Sequence, residues 1–356
     1  MADLFSPLRI KNIELKNRII VSPMCQYSSE DGFANDWHLV HLGSRAVGGA
    51  ALVLTEATAV SPEGRISPND LGVWKDEHIS FLSRITDFIT KQGSIPGIQL
   101  AHAGRKSSQL PPWEGSKALT KEQGAWQTYA PSAIAFKEGE PVPKELSIDE
   151  IKKITGYFRD AAVRAKKAGF KVIELHGAHG YLIHEFLSPF SNKRTDAYGG
   201  SFENRVRFLL EIIESVREVW TEENPLFLRI SATDWKEGGW SEDDSIKLAQ
   251  LLKTKTIDLI DCSTGGNVAD VKIPVKPLYQ VGFSESVKKS TDILTGAVGL
   301  ITTSQEANSI IEENKADVVL LARELLRDPY FPLRAATELG KDTHWPIQYE
   351  RAKKKH

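Results

Sequence analysis

His176, His179 and Tyr181 stand close together in the stretch Glu174-Leu175-His176-Gly177-Ala178-His179-Gly180-Tyr181. Two imidazoles and a phenol at this spacing can offer several hydrogen-bond donors to one ligand oxygen. Gly177 and Gly180 let the backbone turn sharply between them. Val172, Ile173 and Leu175, which follow a helix end at Gly169, read as a buried strand. The titratable groups therefore fall where a buried strand gives way to a loop, which is where α/β proteins do chemistry. A lone buried histidine is ordinarily a satisfied core group, but the flanking glycines and the tyrosine argue against that here. A sharper rival is a metal site built from His176, His179 and His184 with Glu174 and Glu185, which would make the chain a metal-dependent hydrolase. No HExxH signature supports it, and the pleat should point Glu174 away from its neighbour.

The elements that position these residues alternate. After a small hairpin (Leu8–Ile10 and Ile13–Leu15 around Lys11-Asn12), strand-like and helix-like segments follow in pairs. Ile19–Ser22 leads to Asn35–Val47, Ala51–Thr55 to Glu77–Lys91, and Ile95–Leu100 to Ile148–Lys167. Lys171–Leu175 leads to Phe202–Trp220, Leu226–Ile230 to Ser241–Lys253, and Ile257–Asp261 to Phe283–Lys289. Ile293–Ala297 leads to Ser304–Glu313, and Asp317–Leu321 to Tyr330–Leu339. Eight such units predict a single α/β domain over residues 1–356, a (β/α)8 TIM barrel. A doubly wound sheet is disfavoured because no G-x-G-x-x-G follows the first strand. Residues 105–146, with Pro111, Pro112, Trp113, Trp126, Pro131, Pro141 and Pro143, lack sustained periodicity and interrupt the rhythm after the third strand. A loop of that length is expected to be a capping insertion. Residues 340–356 form a C-terminal tail.

Composition excludes several classes. The chain has 356 residues, 41% of them hydrophobic, and a formal net charge of -2, which gives nucleic acid or an anionic membrane no electrostatic reason to bind. Cys25 and Cys262 are the only cysteines, so there is no disulfide framework and a reducing compartment is expected. The start, MADLFSPLRIKN, has no signal-peptide pattern, and no apolar run is long enough to span a bilayer. These features together predict a cytoplasmic protein.

In barrels of this kind, phosphate is commonly held by the loops after strands seven and eight. Here these are Gly296-Ala297-Val298-Gly299 and Ala322-Arg323. Exposed backbone N–H groups and a bidentate guanidinium suit phosphate oxygens, although two glycines alone equally suit a plain tight turn. Gln99 ends strand three and offers both a donor and an acceptor. Arg229 ends strand five, where a guanidinium is otherwise awkward.

The segments HGAHGYLIHEFLSP and SNKRTDAYGGSFENRVRF resemble the Old Yellow Enzyme family of flavin-dependent ene-reductases, and the likeness extends over nearly the whole chain. The HxxH form with Cys25 is similar to the bacterial branch of xenobiotic reductases and thermophilic-like enzymes. The resemblance implies FMN as cofactor, bound by its phosphate at Gly299, Ala322 and Arg323, with Ala322 where the family usually has glycine. It implies that Gln99 meets the flavin pyrimidine edge and Arg229 the charge near N1. Ser22-Pro23-Met24-Cys25 and Ala57 would lie against the ring, with Cys25 tuning its potential. His176 and His179 would bind the carbonyl or nitro oxygen of an activated alkene, Tyr181 would protonate it, and Tyr27 would face it. NADPH or NADH would visit the same site as a transient reductant, giving ping-pong kinetics, and phenolic ligands would bind there. The QYER run in the tail resembles the C-terminus of the thermophilic-like branch. That implies a homodimer or homotetramer in which Arg351 reaches the neighbouring subunit's substrate pocket.

Overall fold

The computed structural model describes residues 2–354; Lys355 and His356, which end the expected tail, lie outside them. Eight parallel strands close into a barrel in chain order: β1 (Ile19–Val21), β2 (Leu52–Ala59), β3 (Ile95–Ala101), β4 (Val172–Gly177), β5 (Leu226–Ser231), β6 (Leu259–Ser263), β7 (Leu294–Ala297) and β8 (Val318–Leu321). β5 pairs with β6 and β8 with β1, so no strand is left with a free edge. A TIM barrel is thus the fold that the alternation of elements predicts. The strands are buried on both faces, as parallel strands covered by helices must be.

The helices follow from capping and periodicity. Ile148–Lys167 starts at Ser147, whose hydroxyl accepts from Glu150 N while Glu150 reaches back to Ser147 N. It carries Asp149 and Glu150 in its first turn and Arg164, Lys166 and Lys167 in its last, complementing the helix dipole. Ile151, Ile154, Phe158, Ala161, Ala162 and Ala165 make the stripe it buries against the barrel. The hairpin Leu8–Ile10/Ile13–Leu15 covers the N-terminal end of the barrel. Its Ile10, Ile13 and Leu15 join Ile20, Leu52, Phe227, Leu259 and Leu320 in one cluster. The opposite, C-terminal end is left to the loops.

Three departures from the expected elements matter for that end. β2 runs on to Ala59 rather than stopping at Thr55, with its register to β3 shifting between Leu54 and Ala57. The extension was hidden because Glu56-Ala57-Thr58 has no strand-like apolar pattern. Gly296 and Ala297 belong to β7, so the loop after it begins only at Val298. A Cβ at Gly296 would lie 2.3 Å from Leu320 Cδ1, so this glycine serves the packing of β7 on β8 and not a phosphate turn. Short helices also stand where loops were expected, at Leu182–Leu187 and Arg323–Arg327. Residues 105–146 contain 3-10 turns at Pro112–Glu114 and Lys121–Gln123 and a small sheet pairing Tyr129–Ala130 with Lys144–Glu145.

Candidate active site

β4 delivers His176 to the rim of the barrel, and the turn that follows folds His179 and Tyr181 back against it. The His176 ring lies 5.1 Å from that of His179 and 5.0 Å from that of Tyr181, edge to face in both cases. Nδ1 of His176 accepts from Ala178 N at 3.4 Å, which leaves Nε2 to carry the proton and face outward. Nε2 of His179 shares a hydrogen with Ser263 Oγ, 2.7 Å away at the end of β6. Both imidazoles and the phenol are therefore gathered at the end of β4 and tied to β6.

The turn is held from several sides. His179 adopts φ +61° and Gly180 φ +72°. Gly266, in the loop after β6, presses on this turn: a Cβ there would be 2.7 Å from His179 Cα, and one at Gly180 would be 2.2 Å from Gly266 O. Neither loop leaves the other room for a side chain. Ser231 Oγ accepts from His179 N at 2.9 Å and donates to Gly265 O at 2.7 Å. Lys106 Nζ donates to His179 O at 2.8 Å and to Gly266 O at 3.0 Å, while lying 5.1 Å from the Tyr181 ring centre. His184 accepts at Nδ1 from Gly180 N at 3.0 Å and pairs through Nε2 with buried Asp234 at 3.1 Å. It supports the turn and does not share the ligand-facing space. Glu185 accepts from Arg105 N at 2.8 Å, anchoring the segment after β3. Among the described residues no three His, Cys, Asp or Glu side chains converge to hold a metal, so the hydrolase alternative has no ligand set.

Burial sets the charges here. It pushes both His176 and His179 well below the usual imidazole range, and the nearby cations Arg229 and Lys106 add to the effect. Both rings are neutral near pH 7. Burial likewise raises Tyr181, with Cys25 and Tyr27 adding to it, so the phenol keeps its proton. Lys106 is lowered to about 8 by desolvation and then by Arg105.

The other expected residues surround the same end of the barrel. Gly299, Ala322 and Arg323 line a cavity of about 90 Å3 together with Arg229, Tyr279 and Gln280. Gly299 has φ +124°, and a Cβ there would press on the Gln280 side chain at 3.0 Å. Arg229 donates from Nη1 to Ser22 Oγ at 3.0 Å and stands 3.0 Å from Asp261 through Nε, yet that Nε has no hydrogen-bond partner. Such a buried, under-satisfied cation beside a narrow cradle suits an anionic planar cofactor with one phosphate. Gln99 Nε2 donates to Glu174 Oε1 at 2.8 Å. Glu174 thus faces the barrel interior two residues before His176, on the same side of the strand. Ala57 sits beside Gln99 in register, and Tyr181 shares a small cleft with Ala57, Asp70 and Ala101. Pro23, Met24 and Cys25 are half-buried after β1. Burial, then Asp70 and Glu56, hold the Cys25 thiol well above its ordinary range, so it is a neutral thiol. Tyr27 has φ +48° and stands edge-on to Trp113 at 5.7 Å. Arg351 is not among these groups; it lies exposed in the tail of this chain.

The sequence pattern of the NADH:flavin oxidoreductase / NADH oxidase family matches residues 3–342. The chain belongs to that family. This flavin oxidoreductase is 50% identical over 351 residues to an NADPH dehydrogenase of Bacillus velezensis, 98% of each chain being covered. It superposes on morphinone reductase in complex with tetrahydroNAD with a TM-score of 0.79 at 28% identity, over 97% of this chain and 93% of that one. A 2-naphthoyl-CoA reductase shares the fold with a TM-score of 0.85 at 24% identity; this chain covers 52% of that longer one. The resemblance to Old Yellow Enzyme therefore holds. The protein is an FMN oxidoreductase with a reduced nicotinamide as electron donor.

Sequence reasoning missed Lys106, Ser231, Ser263, Gly266 and Asp234. Each meets the site from a distant point in the chain, with no local pattern to mark it. Lys106 and Arg105, at the start of the unperiodic segment, were the nearest to a visible signal.

Proposed function

We propose that this flavin oxidoreductase reduces the activated C=C bond of α,β-unsaturated carbonyl or nitro compounds with electrons from NADPH or NADH. The observation that carries this is the packing of His176 against both His179 and Tyr181, with both imidazoles neutral and the phenol protonated. His176 donates from Nε2 to the substrate oxygen. His179 donates from Nδ1, which requires Ser263 to give its hydroxyl hydrogen to Nε2. These bonds draw electron density from the double bond and stabilise the charge that builds on the oxygen. FMN, when bound, would supply the hydride for the β-carbon. Tyr181 gives its proton to the α-carbon, and Lys106 beside the ring favours the phenolate left behind. Hydride and proton together saturate the bond.

The residues that would hold FMN are those around the cradle. Gly299, Ala322 and Arg323 would take the phosphate, Gln99 the pyrimidine edge and Arg229 the charge near N1. Ser22, Pro23, Met24, Cys25 and Ala57 would lie along the ring. Residues 105–146 cap the site through Lys106 and through Trp113, which stands edge-on to Tyr27 of the segment after β1, and Tyr27 faces the substrate. One face then serves nicotinamide and alkene in turn, which gives ping-pong kinetics. No helix among the described residues is long and apolar enough to cross a membrane, in keeping with a cytoplasmic enzyme. Ile347 is 78% exposed and Tyr349 42%, which suits a tail that meets a second subunit in a homodimer or homotetramer, with Arg351 completing the partner's pocket for phenolic ligands.

Anaerobic titration with NADPH, followed by reoxidation with cyclohexenone and release of the cofactor on denaturation, tests this. The expected results are bleaching by NADPH, return of colour with the enone, and FMN in the supernatant. FAD in the supernatant, or reduced enzyme that ignores enones and nitroalkenes while reacting with oxygen, would refute it.

A further inference from the structure

Beneath the proposed flavin contacts lie two acids that none of the steps above uses. Glu174 of β4 and Asp261 of β6 are both fully buried. Each is the register partner of a proposed flavin contact, Glu174 of Gln99 and Asp261 of Arg229. One oxygen of Glu174 accepts from Gln99 at 2.8 Å, and the other has no partner. Asp261 Oδ2 stands 3.0 Å from Arg229 Nε, and neither of its oxygens makes a hydrogen bond. The groups set against them are Arg229 from β5, beside Asp261, and the Gln99 amide from β3, donating to Glu174, while the Ser22 hydroxyl from β1 accepts from the same Arg229. Arg229 is the one cation in that set.

We infer that Glu174 and Asp261 form a single buried counter-charge to Arg229, holding one proton between them, and that the pair acts as a unit to position Arg229 and fix its field at the flavin ring. The inference rests on the proposed contacts of Arg229 and Gln99 with FMN. Two ionised carboxylates around one guanidinium would leave a net negative charge in a dry interior, next to where reduction adds further negative charge. Such a charge is expensive to bury, and a proton neutralises it instead. Burial raises both acids, the charge of Asp261 raises Glu174 further, and Arg229 opposes the rise at each. The guanidinium stands 3.0 Å from Asp261, whereas Glu174 is met by the neutral Gln99 amide, so Glu174 is the protonated member and Asp261 the charged one. The titration belongs to the pair, so deleting one acid passes the ionisation to the other. Glu174→Gln imitates the protonated acid. Asp261→Asn relieves the repulsion and leaves Glu174 as sole counter-ion to Arg229.

The test is a mutant cycle on the FMN holoenzyme, with midpoint potentials from spectroelectrochemistry and protonated-carboxyl bands from infrared difference spectra near pH 7. Each single variant is expected to keep a potential close to the parent's. The double variant is expected to raise it, because Arg229 then stands uncompensated beside the ring. The infrared spectrum of the parent should hold a protonated-carboxyl component, beyond those of Glu185 and Asp70, that is lost in Glu174→Gln and also in Asp261→Asn, where Glu174 ionises. Infrared spectra need no flavin, so apoprotein gives the same answer if the double variant folds poorly. Additive shifts in the two single variants, or a Glu174 band that survives in Asp261→Asn, would overturn the inference. Arg229→Gln serves as control and should lower the potential. If it leaves both potential and FMN affinity unchanged, the contact of Arg229 with the ring is wrong, and the inference falls with it. If Arg229→Gln shifts the potential while the double variant does not, only the inference about the pair fails.

Discussion

The turn after β4 and the C-terminal tail are both built around aromatic and basic residues, yet this chain treats them in opposite ways. At the turn, His179 is held through its backbone N–H by Ser231, through its carbonyl by Lys106 and through its ring by Ser263. In the tail, the 3-10 turn Ile347–Ala352 has no buried residue. Its main anchor is Tyr349 against Tyr330, with ring centres 6.0 Å apart. Beside that contact lies an open groove of about 660 Å3, lined by Leu333, Arg334, Trp345 and Arg351 among others. The first region is fixed by this chain's own contacts; the second leaves Ile347 and Arg351 exposed beside the groove. Chemistry that depends on sub-ångström placement should therefore reside wholly in the first, while the second should affect affinity and assembly.

The sharpest way to break that contrast is at the proton donor. Tyr181→Phe keeps the ring packing and removes the acidic hydrogen, and general acid catalysis typically contributes about a hundredfold or more. Stopped-flow measurement should show enone reduction slowed by at least that factor, with reduction by NADPH near the parent rate. Nitroalkenes, whose products take a proton from water readily, should suffer less. Equal enone rates in variant and parent would remove the role.

Next in size are the oxygen-binding imidazoles. His176→Ala or His179→Ala should each weaken p-hydroxybenzaldehyde binding by about 1.5–3 kcal/mol, the usual value of a hydrogen bond to a charged group. Tight phenol binding by the double variant would rule out the pair.

Removal of residues 345–356 comes third. It should lower the particle mass seen by light scattering and reduce phenol affinity by roughly tenfold or less, since a guanidinium at a solvent-accessible interface contributes modestly. A truncated protein with unchanged mass, affinity and turnover would place the tail outside the site altogether.

The smallest effect is on stability. Burial raises Glu185 to about 8 and Asp70 to about 7, above their ordinary 4.5 and 3.8. Between those limits the folded protein keeps protons that the unfolded chain has released, so stability falls as pH rises through the window. His102, lowered from 6.5 to about 4, acts in the other direction: stability falls as pH drops below 6.5, where the unfolded chain takes up a proton that the fold refuses. The melting temperature of apoprotein should thus be higher at pH 6.5 than at pH 8, and Glu185→Gln should flatten the slope. A melting temperature that rises over this interval would contradict the assignment.

The barrel was legible because its signals are local. The periodicity and cap of Ile148–Lys167 are written within that helix, and the apolar run Val172–Leu175 marks β4 without reference to anything else. His176, His179 and Tyr181 could be picked out because they are neighbours in sequence. What closes around them was not legible. Ser263 lies 84 positions from His179 and Lys106 lies 73 positions from it, and such contacts arise only when the barrel closes. The placement of Gly296 was misread for a related reason: a glycine kept for strand packing looks the same in sequence as one kept for a turn. β2 was cut short because Glu56, although buried, accepts from Gln26 N and pairs with His38 instead of packing as an apolar residue would.

The mutual fit of Gly180 and Gly266 bears on how this enzyme could be redesigned. Because each backbone fills the space a side chain on the other would need, libraries that diversify either loop will mostly return inactive clones, and paired changes will rarely rescue them. Residues 105–146 meet that turn through Lys106, whose Nζ lies 4.6 Å from the Phe136 ring centre, and border Tyr27 through Trp113, without sharing that constraint. An engineer seeking a broader substrate range would do better to randomise Trp113 and Phe136 and leave the two glycine loops alone.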